Sequence, residues 1–309
     1  MSTMPTTMHL PQDASRLPMT LPRLLEKQRR GEPLVMVTAY DYPSARAADR
    51  AGVDLVLMGD SGAMTVLGYD STVAVTPDEL MVLAKATRRG LQTPFFVADL
   101  PFGSYEVSDE QAVQTAFRFV KEAGADAVKL EGGGETSVRR ARAIVNAGIP
   151  VMGHVGLTPQ TATALGGYKA QGKSAGAAVK IAHECLALQE AGCFSIVFEA
   201  IPSAVTEVIM PMMEIPVIGI GAGPATDGQV LVFHDLLGIR EGRGAKFVQR
   251  YADLLDEMAV GVAAYAEDVR AKRYPGPEHG YAIEVGELAD FRASFGLSAV
   301  EPDVEGAAI

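Results

Sequence analysis

Phe95-Phe96-Val97-Ala98-Asp99 is a short apolar run that stops on an acid, and the same ending recurs along the chain. Leu55-Val56-Leu57-Met58-Gly59-Asp60, Ala127-Val128-Lys129-Leu130-Glu131 and Ser195-Ile196-Val197-Phe198-Glu199 also close on carboxylates. Pro150-Val151-Met152-Gly153-His154 closes on a histidine, and Leu34-Val35-Met36-Val37-Thr38 leads to Asp41. Buried parallel strands read as continuous apolar runs. In a (β/α) barrel the carboxyl end of every strand opens on one face, where the chemistry is built. Polar residues far apart in the chain are therefore expected to converge on one pocket.

Between these runs, residues 77–89, 108–123, 135–147 and 174–191 space their apolar side chains by three and four, the helical period. Ala51-Gly52, Ala123-Gly124, Ala147-Gly148 and Ala191-Gly192 stand at the hand-over from helix to strand. Glycine just past a helix end takes the left-handed conformation that closes the last turn, so these read as caps feeding short loops. Pro216-Val217-Ile218-Gly219-Ile220 and the weaker Ala245-Lys246-Phe247-Val248 bring the strand candidates to eight. Eight strands alternating with helices predict a closed (β/α)8 TIM barrel in preference to an open doubly wound sheet. Gly219-Ile220-Gly221-Ala222-Gly223-Pro224 has neither dinucleotide-loop spacing nor the Lys-Ser/Thr of a P-loop. It reads as a tight strand-to-helix turn with Thr226 or Asp227 capping the next helix. Residues 251–273 read as a long helix with apolar positions at Leu254, Leu255, Met258, Val260, Val262 and Tyr265, suited to packing on the barrel or on a neighbouring subunit.

With 309 residues, 48% of them hydrophobic, the chain can bury one large core and exceeds the size of an ordinary barrel. The expected organisation is a flexible arm over 1–20, a catalytic barrel with C-terminal helices over 21–297, and a flexible tail over 298–309. A formal net charge of −11 disfavours nucleic acid or an anionic membrane as partner, since both need a basic footprint. The two cysteines, Cys185 and Cys193, are too few for a disulfide framework and too far apart for a CxxC motif, so they read as buried, reduced thiols. No stretch approaches the length of a membrane span, and the opening residues lack a basic segment followed by an apolar core. A cytoplasmic location is the expectation.

Asp60, Asp99 and Glu131 end three successive strands of the set, and carboxylates gathered that closely need a compensating charge. Caps and ion pairs account for any one of them; three together point to a bound cation. An all-oxygen donor set with few protein ligands suits Mg²⁺. Lys129 lies two residues before Glu131, so both side chains leave the strand on the same face. There the lysine can clamp a metal-bound anion. A Schiff-base role would call for an apolar pocket free of acids, which Glu131 opposes. Glu199, at the mouth of an apolar pocket, is the candidate general base for a carbon-bound proton. His154 is a base, a metal ligand or a hydrogen-bonded wall residue.

At these residues the chain resembles ketopantoate hydroxymethyltransferases over roughly 21–281. The resemblance is carried by Thr38-Ala39-Tyr40-Asp41, Gly59-Asp60-Ser61, Gly68-Tyr69-Asp70-Ser71-Thr72, Ala98-Asp99-Leu100-Pro101-Phe102 and Val128-Lys129-Leu130-Glu131-Gly132-Gly133. Gly153-His154-Val155-Gly156-Leu157-Thr158-Pro159-Gln160, Gly166-Gly167-Tyr168-Lys169-Ala170-Gln171-Gly172, Ile218 to Gly223 and Asp227-Gly228-Gln229 extend it. It implies a (β/α)8 barrel with Asp60, Asp99 and Glu131 as metal ligands, Ser61 and Lys129 on the 2-oxo acid, and Glu199 as general base. Asp60, Asp99 and His154 are also expected at the substrate. It further implies Mg²⁺, 5,10-methylenetetrahydrofolate as one-carbon donor, and a large homo-oligomer, often a decamer. The implied reaction converts 3-methyl-2-oxobutanoate into 2-dehydropantoate (ketopantoate) through a Mg²⁺-stabilised enolate, in pantothenate synthesis.

The chain departs from the commonest family pattern at Gly62-Ala63, where many members carry Leu-Gly, at Gly103, often Met, and at Ala200-Ile201, where Cys or Met and Val are frequent. Ordinary variation is the preferred reading; a roomier pocket for a bulkier 2-oxo acid is the other. The rival functions are a Mg²⁺-dependent lyase or mutase of the phosphoenolpyruvate mutase and isocitrate lyase type, and a non-catalytic protein on a retained barrel.

Overall fold

The computed structural model describes residues 16–242 and 244–297. Residues 1–15 of the expected arm and the whole expected tail, 298–309, lie outside the described residues. Within the rest of the arm, Met19 N–H donates to the Thr93 carbonyl at 2.7 Å. Two compact units divide the chain, one up to Leu254 and one from Leu255 onward.

In the first unit, β1 (Leu34–Thr38), β2 (Leu55–Met58), β3 (Phe95–Asp99), β4 (Ala127–Lys129), β5 (Val151–Gly156), β6 (Ser195–Glu199), β7 (Val217–Ile220) and β8 (Gly228–Leu231) close into a barrel in chain order. Every neighbouring pair is parallel, and β1 meets β8 at the seam. The (β/α)8 reading is thus correct. Helices Tyr42–Ala51, Pro77–Gly90, Asp109–Ala123, Glu135–Asn146 and Ala175–Glu190 sit where the helical spacing predicts them. Asp41 and Thr76 open two of them with reciprocal capping boxes to Ser44 and Glu79. Gly52, Gly124, Gly148 and Gly192 all take positive φ after helix ends, as the recurring Ala-Gly phrase predicts.

Strand alternation sorts the core into two layers. Leu55, Leu57, Phe95, Val97, Ala127, Met152, Val197 and Ile218 fill the barrel interior, with Leu24 of helix Leu21–Arg29 in the same cluster. Val56, Met58, Phe96, Ala98, Val128, Ile196 and Phe198 face out against the helices. The period of two that sends Phe95 and Val97 inward sends Asp99 inward as well, and the same holds for Lys129 after Ala127, His154 after Met152 and Glu199 after Val197.

Two expectations are corrected near the chain's end. The eighth strand is Gly228–Leu231, and residues 245–248 form no strand. Nor does a helix follow β7: residues 221–227 lead straight into β8. Asp227 is no helix cap but the tie at this corner, its carboxylate accepting from Val217 N–H at 2.8 Å and its carbonyl from Leu34 N–H at 2.9 Å. Gly228 lies so close to β1 that a Cβ would stand 2.4 Å from the Leu34 carbonyl oxygen. A strand of four residues beginning with such a glycine carries little apolar signal.

The second unit holds most of helix Leu254–Arg270, a single turn at Pro277–His279 and helix Val285–Ser294, none with a buried residue. Tyr274 packs against Tyr265 and His279 at ring-centre distances of 5.5 and 4.9 Å. Val260, Val262 and Tyr265 are exposed. No helix among the described residues is long and apolar enough to cross a membrane.

Candidate active site

The inward-facing polar ends of the strands line a cavity of about 220 Å³ that holds Asp60, Ser61, Asp99, Lys129, Glu131, His154 and Glu199 together above Leu57, Val197 and Ile220. Every residue expected at the site from sequence is therefore in one place. Asp60, Asp99, Lys129, Glu131 and His154 are almost wholly buried, whereas the Glu199 side chain retains 15% exposure.

Lys129 Nζ pairs with Asp99 Oδ1 at 2.6 Å and lies 3.3 Å from His154 Nδ1. Asp99 Oδ2 accepts from Asp60 N–H at 3.0 Å. His154 bridges the two sides of the pocket, with Nδ1 3.6 Å from Glu131 Oε1 and Nε2 3.2 Å from Glu199 Oε2. Ser61 Oγ is 2.8 Å from the hydroxyl of the fully buried Tyr40.

Burial, then the neighbouring Asp99, pushes the Asp60 carboxyl up to about 7. Burial and Asp60 likewise hold Glu131 well above the carboxylate range. Burial works against the Lys129 ammonium, but Asp99, Glu131 and Asp60 prevail and keep it above the ordinary lysine value. That excludes a neutral amine nucleophile. Burial and the Lys129 charge depress His154, so its imidazole is neutral near pH 7. With Nδ1 accepting from Lys129, the proton sits on Nε2, toward Glu199.

Three buried carboxyl groups against one ammonium cannot all ionise cheaply, since burying unpaired charge costs several kcal/mol per ion, and the raised values of Asp60 and Glu131 are the consequence; a bound cation would let them ionise. The donors are hard oxygens, which fit Mg²⁺. Among the described residues no group of three or more His, Cys, Asp or Glu side chains is placed to hold a metal ion. Mg²⁺ requires fewer protein ligands, since it binds through one or two carboxylates and keeps waters or substrate oxygens for the remainder.

Sequence reasoning missed Gln160 and Tyr105. Gln160 Nε2 donates to Asp60 Oδ2 at 2.9 Å and its backbone N–H to Glu131 Oε2 at 3.0 Å. Tyr105 OH donates to Gln160 Oε1 at 2.6 Å and accepts from Glu131 N–H at 3.2 Å. Gln160 stood in a quoted motif, but nothing about a lone glutamine marks it as the brace of two acids. Of the small residues, Gly62 and Ala63 are buried on the core side, against Tyr40 in the case of Gly62, and Gly103 is exposed. Neither they nor Gly103 enlarge the cavity. Ala200 instead takes a φ of 50° immediately after Glu199, a left-handed conformation that a non-glycine residue adopts at a cost of order 1–3 kcal/mol and that concentrates at functional sites.

Solved structures with the same barrel include phosphonopyruvate hydrolase (TM-score 0.55, 13% identity, covering 90% of this chain and 96% of that one). Another is 2,3-dimethylmalate lyase (TM-score 0.54, 16% identity, covering 89% and 99%). At that identity they show the fold alone. The sequence relatives are far nearer. The 3-methyl-2-oxobutanoate hydroxymethyltransferase of Moorella thermoacetica is 52% identical over 268 residues, 87% of this chain and 99% of that one. The mitochondrial 3-methyl-2-oxobutanoate hydroxymethyltransferase 1 of Arabidopsis thaliana is 49% identical over 278 residues, 88% and 80%. Residues 18–277 match the family model described as ketopantoate hydroxymethyltransferase. Taken with the barrel and its converging acids, that match makes the chain a member of the ketopantoate hydroxymethyltransferase family.

Proposed function

We propose that this chain transfers a hydroxymethyl group from 5,10-methylenetetrahydrofolate to 3-methyl-2-oxobutanoate, giving 2-dehydropantoate for pantothenate synthesis. The observation that carries the reading is the set Asp60, Asp99, Lys129, Glu131, His154 and Glu199 around one cavity of about 220 Å³, the size for a small 2-oxo acid.

Asp60, Asp99 and Glu131 would hold Mg²⁺, which when bound polarises the keto and carboxylate oxygens of the substrate as a Lewis acid. Ser61 and Lys129 contact the 2-oxo acid. Lys129, kept charged by Asp99, presents fixed positive charge where the enolate develops, with no reorganisation at the moment of reaction. Glu199 takes the proton from C3. His154 Nε2 lies 3.2 Å from that carboxylate. C3 then bonds to the methylene carbon of the folate; of that carbon's two bonds to nitrogen, one breaks as this bond forms and the other as a water oxygen bonds to the same carbon. Tetrahydrofolate leaves with both nitrogens protonated, one proton coming from C3 by way of Glu199 and the other from the water.

The reading places the enzyme in the cytoplasm, in keeping with its buried free cysteines, and in a homo-oligomer as large as a decamer. The exposed apolar residues of helix Leu254–Arg270 support the second point. Mixing the protein with both substrates and Mg²⁺ tests the function: 2-dehydropantoate should appear in step with tetrahydrofolate. Turnover of a 2-oxo acid without any one-carbon donor would instead favour lyase chemistry.

A further inference from the structure

Ser61 lines the substrate cavity, and its Oγ has one hydrogen-bond partner among the described residues, the hydroxyl of Tyr40 at 2.8 Å. Tyr40 stands behind that wall, fully buried in the layer between barrel and helices. Its ring is held on several sides. A Cβ on Gly62 would stand 2.6 Å from it, the His234 imidazole packs against it at a ring-centre distance of 5.4 Å, and Tyr40 N–H donates to Ser44 Oγ at 3.2 Å. Packing alone does not call for a hydroxyl here, since phenylalanine would fill the same space.

A second hydroxyl backs the first. Thr38, at the end of β1, also bonds the Tyr40 hydroxyl, and its Oγ1 in turn accepts from Phe233 N–H at 2.8 Å. Thr65, the other hydroxyl beside the phenol, donates from Oγ1 to the Ser61 carbonyl at 3.1 Å, so its proton is spent there. A hydroxyl has one proton and two lone pairs, so in a chain of hydroxyls each proton serves one neighbour. An amide N–H can only donate, and a carboxylate can only accept. The chain Phe233 N–H, Thr38, Tyr40, Ser61 therefore begins on a fixed donor, and an anion at its far end gives every bond the same sense. Bonds aligned in this way polarise one another and strengthen the last donor. Burial keeps the phenol protonated far past neutral pH, so Tyr40 retains the proton that the chain needs.

We propose that Tyr40 is a positioning residue for the substrate: it donates to Ser61 Oγ and thereby commits the Ser61 proton to the carboxylate of the 2-oxo acid, with Thr38 donating to the phenol oxygen behind it. The assignment rests on the hydroxymethyl-transfer reading, in which Ser61 contacts that acid. The substrate anion enters a cavity lined by Asp60, Asp99, Glu131 and Glu199. A serine whose proton is directed at the anion attracts it there; the reverse sense, Ser61 donating to Tyr40, would turn its lone pairs on the carboxylate.

The test is steady-state kinetics of the full-length, Mg²⁺-loaded protein as wild type, Y40F, S61A and the double variant. Y40F keeps the ring and should raise the KM for 3-methyl-2-oxobutanoate about five- to ten-fold, the worth of a typical hydrogen bond, while kcat and the KM for the folate change less than about two-fold. S61A should raise the same KM at least as far, and Y40F/S61A should be no worse than S61A alone, because two residues acting through one bond do not add. T38V should raise that KM in the same sense, and T38S, which keeps the hydroxyl, should restore it. A Tyr40 that serves only the fold would lower the melting temperature and give effects that multiply with S61A. Wild-type KM in Y40F, or in T38V should Y40F fail to fold, would overturn the assignment, as would multiplied effects in the double variant. Exchange of the C3 proton by the wild type separates the failures. Exchange in the wild type with an indifferent Y40F removes the positioning role alone; absence of both exchange and turnover in the wild type removes the reaction and the role with it.

Discussion

Gln160 reaches across one hundred residues of chain to donate from Nε2 to Asp60 Oδ2 at 2.9 Å, while its own backbone N–H fixes Glu131 Oε2 at 3.0 Å. One residue thus holds two of the three acids proposed to carry the metal, and Tyr105 fixes its amide from behind at 2.6 Å. Groups that orient metal ligands in this way typically account for ten- to a hundred-fold in metal affinity. Gln160→Ala should raise the Mg²⁺ concentration needed for half-maximal activity by about that factor. A magnesium titration of turnover reads it directly, and an unchanged midpoint would show the brace to be idle.

Asp60 ties stability to pH. Its folded-state pKa, about 7, lies above the unfolded value, so the folded chain holds this proton more tightly. The resulting stabilisation is complete below about pH 4 and is lost as pH rises toward the folded value. Mg²⁺ binds the ionised carboxylates, so its stabilising effect should grow over the same interval. Thermal unfolding at about pH 5 and about pH 8, with and without Mg²⁺, should show a clearly larger magnesium shift at the higher pH. Equal shifts would contradict the assignment of Asp60 as a ligand.

Glu199→Gln keeps the shape of the side chain and removes its basicity. Proton transfer by a positioned group contributes about 10²–10⁴-fold, so C3 exchange should fall by at least the lower figure while the affinity for 3-methyl-2-oxobutanoate changes little. Undiminished exchange would move the role of base elsewhere, and His154 would be next in line by distance.

Gly62 packs face-on against Tyr40: a Cβ there would stand 2.6 Å from the Tyr40 ring and 3.0 Å from Leu83. Gly62→Ala should destabilise the protein by about 1–3 kcal/mol, the usual cost of overpacking. It should also raise KM, because Tyr40 is the partner of Ser61 at 2.8 Å. Denaturant unfolding and steady-state kinetics check the two effects separately.

The barrel was legible in the sequence because seven of its strands are apolar runs and its inward alternation carries straight into Asp99, Lys129, His154 and Glu199. Gly228–Leu231 escaped since it is short, opens on glycine and exposes Gln229, while the tie that fixes it is a pair of hydrogen bonds at Asp227. The acids were visible by their repeated position at strand ends. Gln160 and Tyr105 were not, because a neutral side chain earns its role only through partners remote in sequence. Gly62 and Ala63, neighbours of Asp60 in the chain, turn away from the pocket it lines, in keeping with the preferred reading of ordinary variation there.

The central claim is that the acids, Lys129 and Glu199 together enolise 3-methyl-2-oxobutanoate. Proton NMR of that substrate with the protein in D2O follows it without any folate. The account predicts loss of the C3 proton signal with Mg²⁺ and its persistence once the metal is chelated. A C3 signal that persists with folded, Mg²⁺-saturated protein would contradict it.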